Sequence, residues 1–141
     1  MISALLDSSY LKALINAKDN HHKTASDISE KIRACDQLYV PYPVFIDVMN
    51  HFDFADNNTK EMIAFIINDT TVVFNVDKTT YVNALKNYCK SDYDLNFTDY
   101  ICIEYMKKKK IHNILSFKEE FDKIEEVQRL EKSDFSYQNT Y

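Results

Sequence analysis

Three aspartates carry the chemistry that this sequence offers: Asp7 in "SALLDSSYL", Asp47 in "PVFIDVMNHF" and Asp99 in "FTDYICIEYM". Asp7 ends a short apolar run, Ile2 to Leu6, that reads as a buried strand. Asp47 lies one turn into a helix, at the border of a stripe formed by Val44, Phe45, Val48 and Met49. Asp99 opens a late helix. Cys102, Ile103 and Met106 follow it at helical spacing, so it projects from a largely apolar arc, where a carboxylate needs a cation or donors. Each acid also has a plain structural role. Asp7 suits a helix cap, Asp47 a solvated flank, and Asp99 a first turn favoured by the helix dipole. Taken singly, the two readings are even. Gathered at one place, three carboxylates repel unless a divalent cation neutralises them. Mg²⁺ and Mn²⁺ accept carboxylate and water oxygens. Such a site activates water and stabilises the charge that develops on a phosphodiester.

The elements that must position these acids alternate. Strands are expected at Ile2 to Leu6, Leu38 to Val40, Thr70 to Val76 and in "IHNILSF". Helices are expected from Ser8, from about His22 to Ala34, through "PVFIDVMNHF", from Asn57 or Asn58, through "KTTYVNALKNYCK" behind Asp77, and through "FTDYICIEYMKKKK". A short helix fits "KEEFDKI". Tyr81, Val82, Leu85, Tyr88 and Cys89 form one apolar stripe. The rhythm predicts an α/β chain: a single three-layer domain with a mainly parallel central sheet flanked by helices. In such sheets, sites form beyond the carboxyl ends of the strands, where Asp7 falls. The domain is expected over residues 1–130, followed by a loose polar tail over 131–141.

Composition removes several chemistries. The 141 residues include no glycine. That excludes the glycine-rich phosphate loop, the dinucleotide fingerprint and the Gly-x-Ser-x-Gly nucleophile elbow. The formal charge of −5 disfavours whole-surface attraction to nucleic acid, leaving a local basic patch as the alternative. Cys35, Cys89 and Cys102 form no close pair, so neither a disulfide framework nor a zinc site is expected, and reduced thiols suit a cytoplasmic protein. The first residues carry no basic leader, and Asp7 breaks the apolar run, so no signal peptide or membrane span is expected there.

Other features are better explained by packing and solvation. Lys107 to Lys110 form the basic run, but Lys107 lies about 12 Å along the helix from Asp99, so a solvated helix end is the better reading. His21 and His22 are adjacent and point apart, which suits packing rather than ligation. His51, four residues after Asp47, is within reach of it. Most of the ten tyrosines fall in apolar stripes; Tyr42 and Tyr100 are the two expected near the active edge.

The chain resembles a PIN domain, and more narrowly the VapC-type toxins, from about Met1 to Leu130. The matching segments stand in family order: "LLDSSYLKALI", "HHKTA", "YVPYPVFIDVM", "LNFTDYICIEYM" and "IHNILSFKEEFDKI". The resemblance implies a Mg²⁺- or Mn²⁺-dependent endoribonuclease acting on RNA phosphodiesters, often as a homodimer and masked by a small antitoxin. It implies Asp7, Asp47 and Asp99 as the catalytic, metal-binding acids, with Ser8 orienting Asp7 or touching phosphate and Tyr42 and Tyr100 as substrate contacts. Two departures stand out. The family usually has Glu where this chain has Asp47. It often has an acid where this chain has Lys118 in "SFK", with Glu119 as the available substitute. These departures motivate an alternative: a catalytically weak or inactive PIN-like module that binds RNA or a protein partner. The nuclease reading requires the oxygens of residues 7, 47 and 99 to gather around one dication; separate ion pairs to lysines count against it.

Overall fold

The computed structural model describes residues 1–52 and 57–135. Its centre is a five-stranded, all-parallel sheet. The strands are β1 (Ser3–Leu6), β2 (Gln37–Pro41), β3 (Thr71–Val73), β4 (Asn113–Leu115) and β5 (Gln128–Arg129). The helices are α1 (Ser8–Ile15), α2 (His22–Lys31), α3 (Tyr42–His51), α4 (Asn57–Asp69), α5 (Lys78–Lys90) and α6 (Phe97–Lys109). Strand order is β3-β2-β1-β4-β5. The chain therefore builds outward from β1 through β2 to β3, then crosses back through α5 and α6 to lay β4 on the other side of β1. The order reverses between β1 and β4, and the crevice at that point lies beyond their carboxyl ends.

Central position explains the first apolar run. Ala4, Leu5 and Leu6 are fully buried because β1 is paired on both edges, to β2 and to β4, and covered on both faces. α6 is buried almost all round: Tyr100, Ile101, Cys102, Ile103, Tyr105 and Met106 are all in the core. Such a helix needs a second layer outside it, and α5 provides it by packing along α6. α5 turns Ala84 and Thr80 inward, while Val82, Leu85, Tyr88 and Cys89 of the expected stripe stay exposed.

Four details differ from the sequence reading. α2 ends at Lys31 rather than Ala34. The two-residue strand β5 is too short to leave a periodic signal. "KEEFDKI" forms a tight 3-10 segment, Glu119–Lys123, that buries Phe121 completely. A second 3-10 segment, Lys132–Phe135, buries Phe135 against the core, so regular structure continues past Leu130; residues 136–141 of the expected tail lie outside those described. With no glycine available, the left-handed residue that ends α6 is Lys110, at φ 57°. Among the described residues, no helix is long and apolar enough to cross a membrane.

Candidate functional site

Asp7 is a helix cap that also lines the candidate cavity. It follows β1 directly and caps α1, its Oδ1 accepting from the Tyr10 backbone N–H at 3.1 Å. The same Oδ1 accepts from the Ser9 hydroxyl at 2.7 Å, and Oδ2 accepts from the Ser116 hydroxyl at 2.6 Å. Ser116 is there because β1 and β4 pair in register, Leu6 opposite Leu115, and each strand hands its next residue to the same edge. The Asp7 backbone N–H, donating to Leu115 O at 3.1 Å, extends that pairing by one residue. Burial pushes the Asp7 carboxyl above the ordinary carboxylate range. The donated hydrogen bonds from Ser116, Ser9 and Tyr10 pull it down, and the nearby Asp99 charge adds to the rise.

Asp99 stands in the first turn of α6 and forms a reciprocal cap with Asn96. Asn96 N–H donates to Asp99 Oδ2 at 2.9 Å, and Asp99 N–H donates to Asn96 Oδ1 at 2.8 Å. The Lys118 ammonium donates to that same Oδ2 at 2.5 Å. Asp47 sits on α3, half-exposed, and pairs with the Lys12 ammonium of α1 at 3.0 Å. Partial burial favours its neutral form, but hydrogen bonds from Lys12 and Ser8 and the charges of Lys12 and His51 outweigh this. The Asp47 carboxyl is held below its usual range.

Asp7, Asp47 and Asp99 line a single cavity of about 200 Å³, together with Ser8, Ser9, Lys12, Asn96, Thr98 and Lys118. Four separate elements therefore converge at the β1/β4 switch point. The expected free triad of oxygens is not what forms there. Asp47 and Asp99 are each ion-paired to a different lysine, and among the described residues no group of three acids stands at metal-ligand spacing. The donors remain carboxylates, the ligand type that hard divalent cations select, but the positive charge now present is that of Lys12 and Lys118.

Other expected site residues fall differently. Ser8 bonds Asp47, not Asp7; Ser9 and Ser116 hold Asp7. Tyr100 is buried, its hydroxyl bonded to Ser91, and it lines a different cavity with Tyr93 and Glu104, because the residue after Asp99 on a helix points about 100° away. Tyr42 is exposed at the start of α3 and packs on Phe74, with ring centroids 5.6 Å apart, outside the acidic cavity. Glu119 is exposed and does not line the cavity; its charge acts on Arg129. The histidines pack: His21 stacks on Phe117 at 4.3 Å and His22 Nδ1 lies 2.8 Å from Ala13 O. In the lysine run, Lys107 pairs with Glu104 and Lys108 with Asp77, at the opposite end of α6 from Asp99. Ser9, Ser116 and Lys12 were missed by sequence reasoning. Ser9 stands two residues after an aspartate, a recognisable spacing for such a bond. Ser116 and Lys12 gain meaning only from strand order and helix placement.

No protein-family model and no curated protein matches the chain. Solved structures do. VapC20 of Mycobacterium tuberculosis, a toxin that cleaves the sarcin–ricin loop, aligns with a TM-score of 0.72 at 20% identity, over 86% of this chain and 95% of that one. A toxin–antitoxin complex from Klebsiella pneumoniae gives a TM-score of 0.65 at 14% identity, over 89% and 95%. VapBC-1 from nontypeable Haemophilus influenzae gives 0.63 at 14%, over 94% and 99%. The near-complete coverage of both partners, with the parallel sheet and its helices in common, shows that this chain has the VapC-like PIN fold.

Proposed function

We propose that this chain is a Mg²⁺- or Mn²⁺-dependent endoribonuclease of the toxin–antitoxin kind, hydrolysing RNA phosphodiesters at the Asp7, Asp47 and Asp99 cavity. The supporting observation is that these three acids, distant in sequence, share one cavity at the switch point of a parallel sheet. An ion held by their carboxylates would polarise the phosphate and activate water. The chain's own groups orient and balance the site. Ser9 and Ser116 fix both Asp7 oxygens. Lys12 keeps Asp47 ionised at the cavity mouth. Lys12 and Lys118 give ammonium donors that suit phosphate oxygens. The likeness to toxin–antitoxin complexes supports a small antitoxin as protein partner, and exposed Val82, Leu85 and Tyr88 on α5 offer an apolar face for a second copy.

The Lys118–Asp99 ion pair favours a second reading: a weak or inactive PIN-like module that binds RNA or a partner. One assay separates them. The purified chain is incubated with structured RNA and Mn²⁺, beside Asp7→Asn and Asp99→Asn variants whose fold is checked by circular dichroism. The nuclease reading expects cleavage that falls by about 100-fold or more in each variant. Equal cleavage by all three proteins rejects the site. RNA binding without cleavage by the parent chain selects the second reading.

A further inference from the structure

Lys118 is held at its backbone by the acidic site and reaches Asp99 with its ammonium. Its N–H donates to Ser116 Oγ at 3.0 Å, and the preceding Phe117 N–H donates to Ser9 Oγ at 2.9 Å. Phe117 is further fixed by its stack on His21. Those two serines are the ones that hold Asp7. The segment after β4 is thus pinned to the acidic site, and the Lys118 stem enters the cavity from there. Its ammonium lands on Asp99 Oδ2, on a carboxylate whose side chain is only 7% exposed, whereas the Lys118 side chain is 36% exposed.

That asymmetry has a chemical meaning. Asp99 is desolvated, so it needs a cation; whichever cation it holds is screened little by water. Lys118 sits on a flexible four-carbon stem with a route to solvent, so it can leave without any backbone movement. The Lys12–Asp47 pair is more exposed on the acid side, at 48%, and is the weaker of the two. Asp99 Oδ2 already accepts from both the Asn96 N–H and the Lys118 ammonium, which use its two lone pairs, so a dication at that oxygen has to displace one of these donors.

We infer that Lys118 is a tethered competitor for the metal: its ammonium occupies the ion's place at Asp99, and a divalent cation enters the site only as Lys118 swings out. This rests on the reading of Asp7, Asp47 and Asp99 as the ion-binding group. It makes the ion's affinity, rather than the identity of its ligands, the property set by residue 118. The site is then self-neutralised at low metal concentration and opens as metal rises.

The test is Mn²⁺ binding to the full chain, read by electron paramagnetic resonance of free Mn²⁺ and by calorimetry, without RNA. The proteins are the parent chain, Lys118→Met, Lys118→Gln, Lys118→Arg and Asp99→Asn; the glutamine variant serves if methionine at 118 impairs folding. Competition predicts that Lys118→Met or Lys118→Gln binds Mn²⁺ at least tenfold more tightly than the parent, that Lys118→Arg stays within about threefold of it, and that Asp99→Asn loses binding. Equal affinities for the parent and the neutral variants, with Asp99→Asn still losing binding, would overturn the competition while leaving the ion site standing. No Mn²⁺ binding by the parent or any residue-118 variant would overturn both.

Discussion

The Lys118 ammonium lies 2.5 Å from Oδ2 of Asp99, joining the residue three positions beyond Leu115 to the first turn of the helix that precedes its own strand. The contact crosses the carboxyl edge of the sheet at the β1/β4 switch point, where related folds of this topology form their sites. It also helps explain how three carboxylates share one cavity. Lys118 balances Asp99, Lys12 balances Asp47, and three donated hydrogen bonds offset part of the cost of burying Asp7.

The raised Asp7 carboxyl makes stability depend on pH with a definite sign. An acid whose folded pKa exceeds its unfolded value contributes stability that is complete below the ordinary value of 3.8 and is lost as pH rises through the higher folded value. Asp7→Asn removes that titration and keeps an oxygen for Tyr10 and Ser9. Denaturant midpoints for the two proteins, measured from pH 4 to pH 8, should diverge, with the variant gaining on the parent as pH rises. Asp47 and the other lowered acids act in the opposite direction in both proteins and cancel in the difference. A gap independent of pH would contradict the buried, raised Asp7.

Ser116→Ala should be costlier than its size suggests. The hydroxyl that Asp7 Oδ2 accepts would vanish, leaving that oxygen buried without this donor. The expected loss is about 1–3 kcal/mol in urea unfolding. Combining it with Asp7→Asn should give less than the sum of the single effects, because the two groups share one network.

The outer helix separates two kinds of apolar residue. Leu85 is 51% exposed on α5, while Phe121 is fully buried. Leu85→Ser should change the unfolding free energy of the single chain by no more than about 0.5 kcal/mol. Phe121→Ala should cost about 3–5 kcal/mol. Sedimentation of the Leu85→Ser protein gives a second readout: a parent dimer that becomes monomeric would assign this face to self-association.

Much of the frame was legible because its signals are local. β1 is a continuous apolar run, Asp77 caps its helix as expected, the late helix begins at Phe97 as expected, and the helix from Asn57 begins where the first polar pair stands. The alternation of strands and helices was enough for a parallel α/β sheet. Asp7 and Asp99 line one cavity because they stand at element ends on the carboxyl edge of that sheet, and Asp47 joins them from the middle of α3. What escaped depended on distant pairing. Ser116 reaches Asp7 only because β4 adds beside β1 in a fixed register. The lysine partners of Asp47 and Asp99 required knowing which side chains enter the cavity. Tyr100 was misplaced by treating neighbours in sequence as neighbours in space, although on a helix they diverge. The apolar stripe of α5 was visible, but its exposure depends on α6 already filling the sheet face.

The most direct test is a crystal of this chain soaked in Mn²⁺, with the ion located by its anomalous scattering. The account predicts one peak in the cavity, within ligand distance of carboxylate oxygens from Asp7, Asp47 and Asp99, with the Lys118 ammonium displaced toward solvent. A cavity without Mn²⁺ at saturating metal, with Lys118 still seated on Asp99, would contradict it.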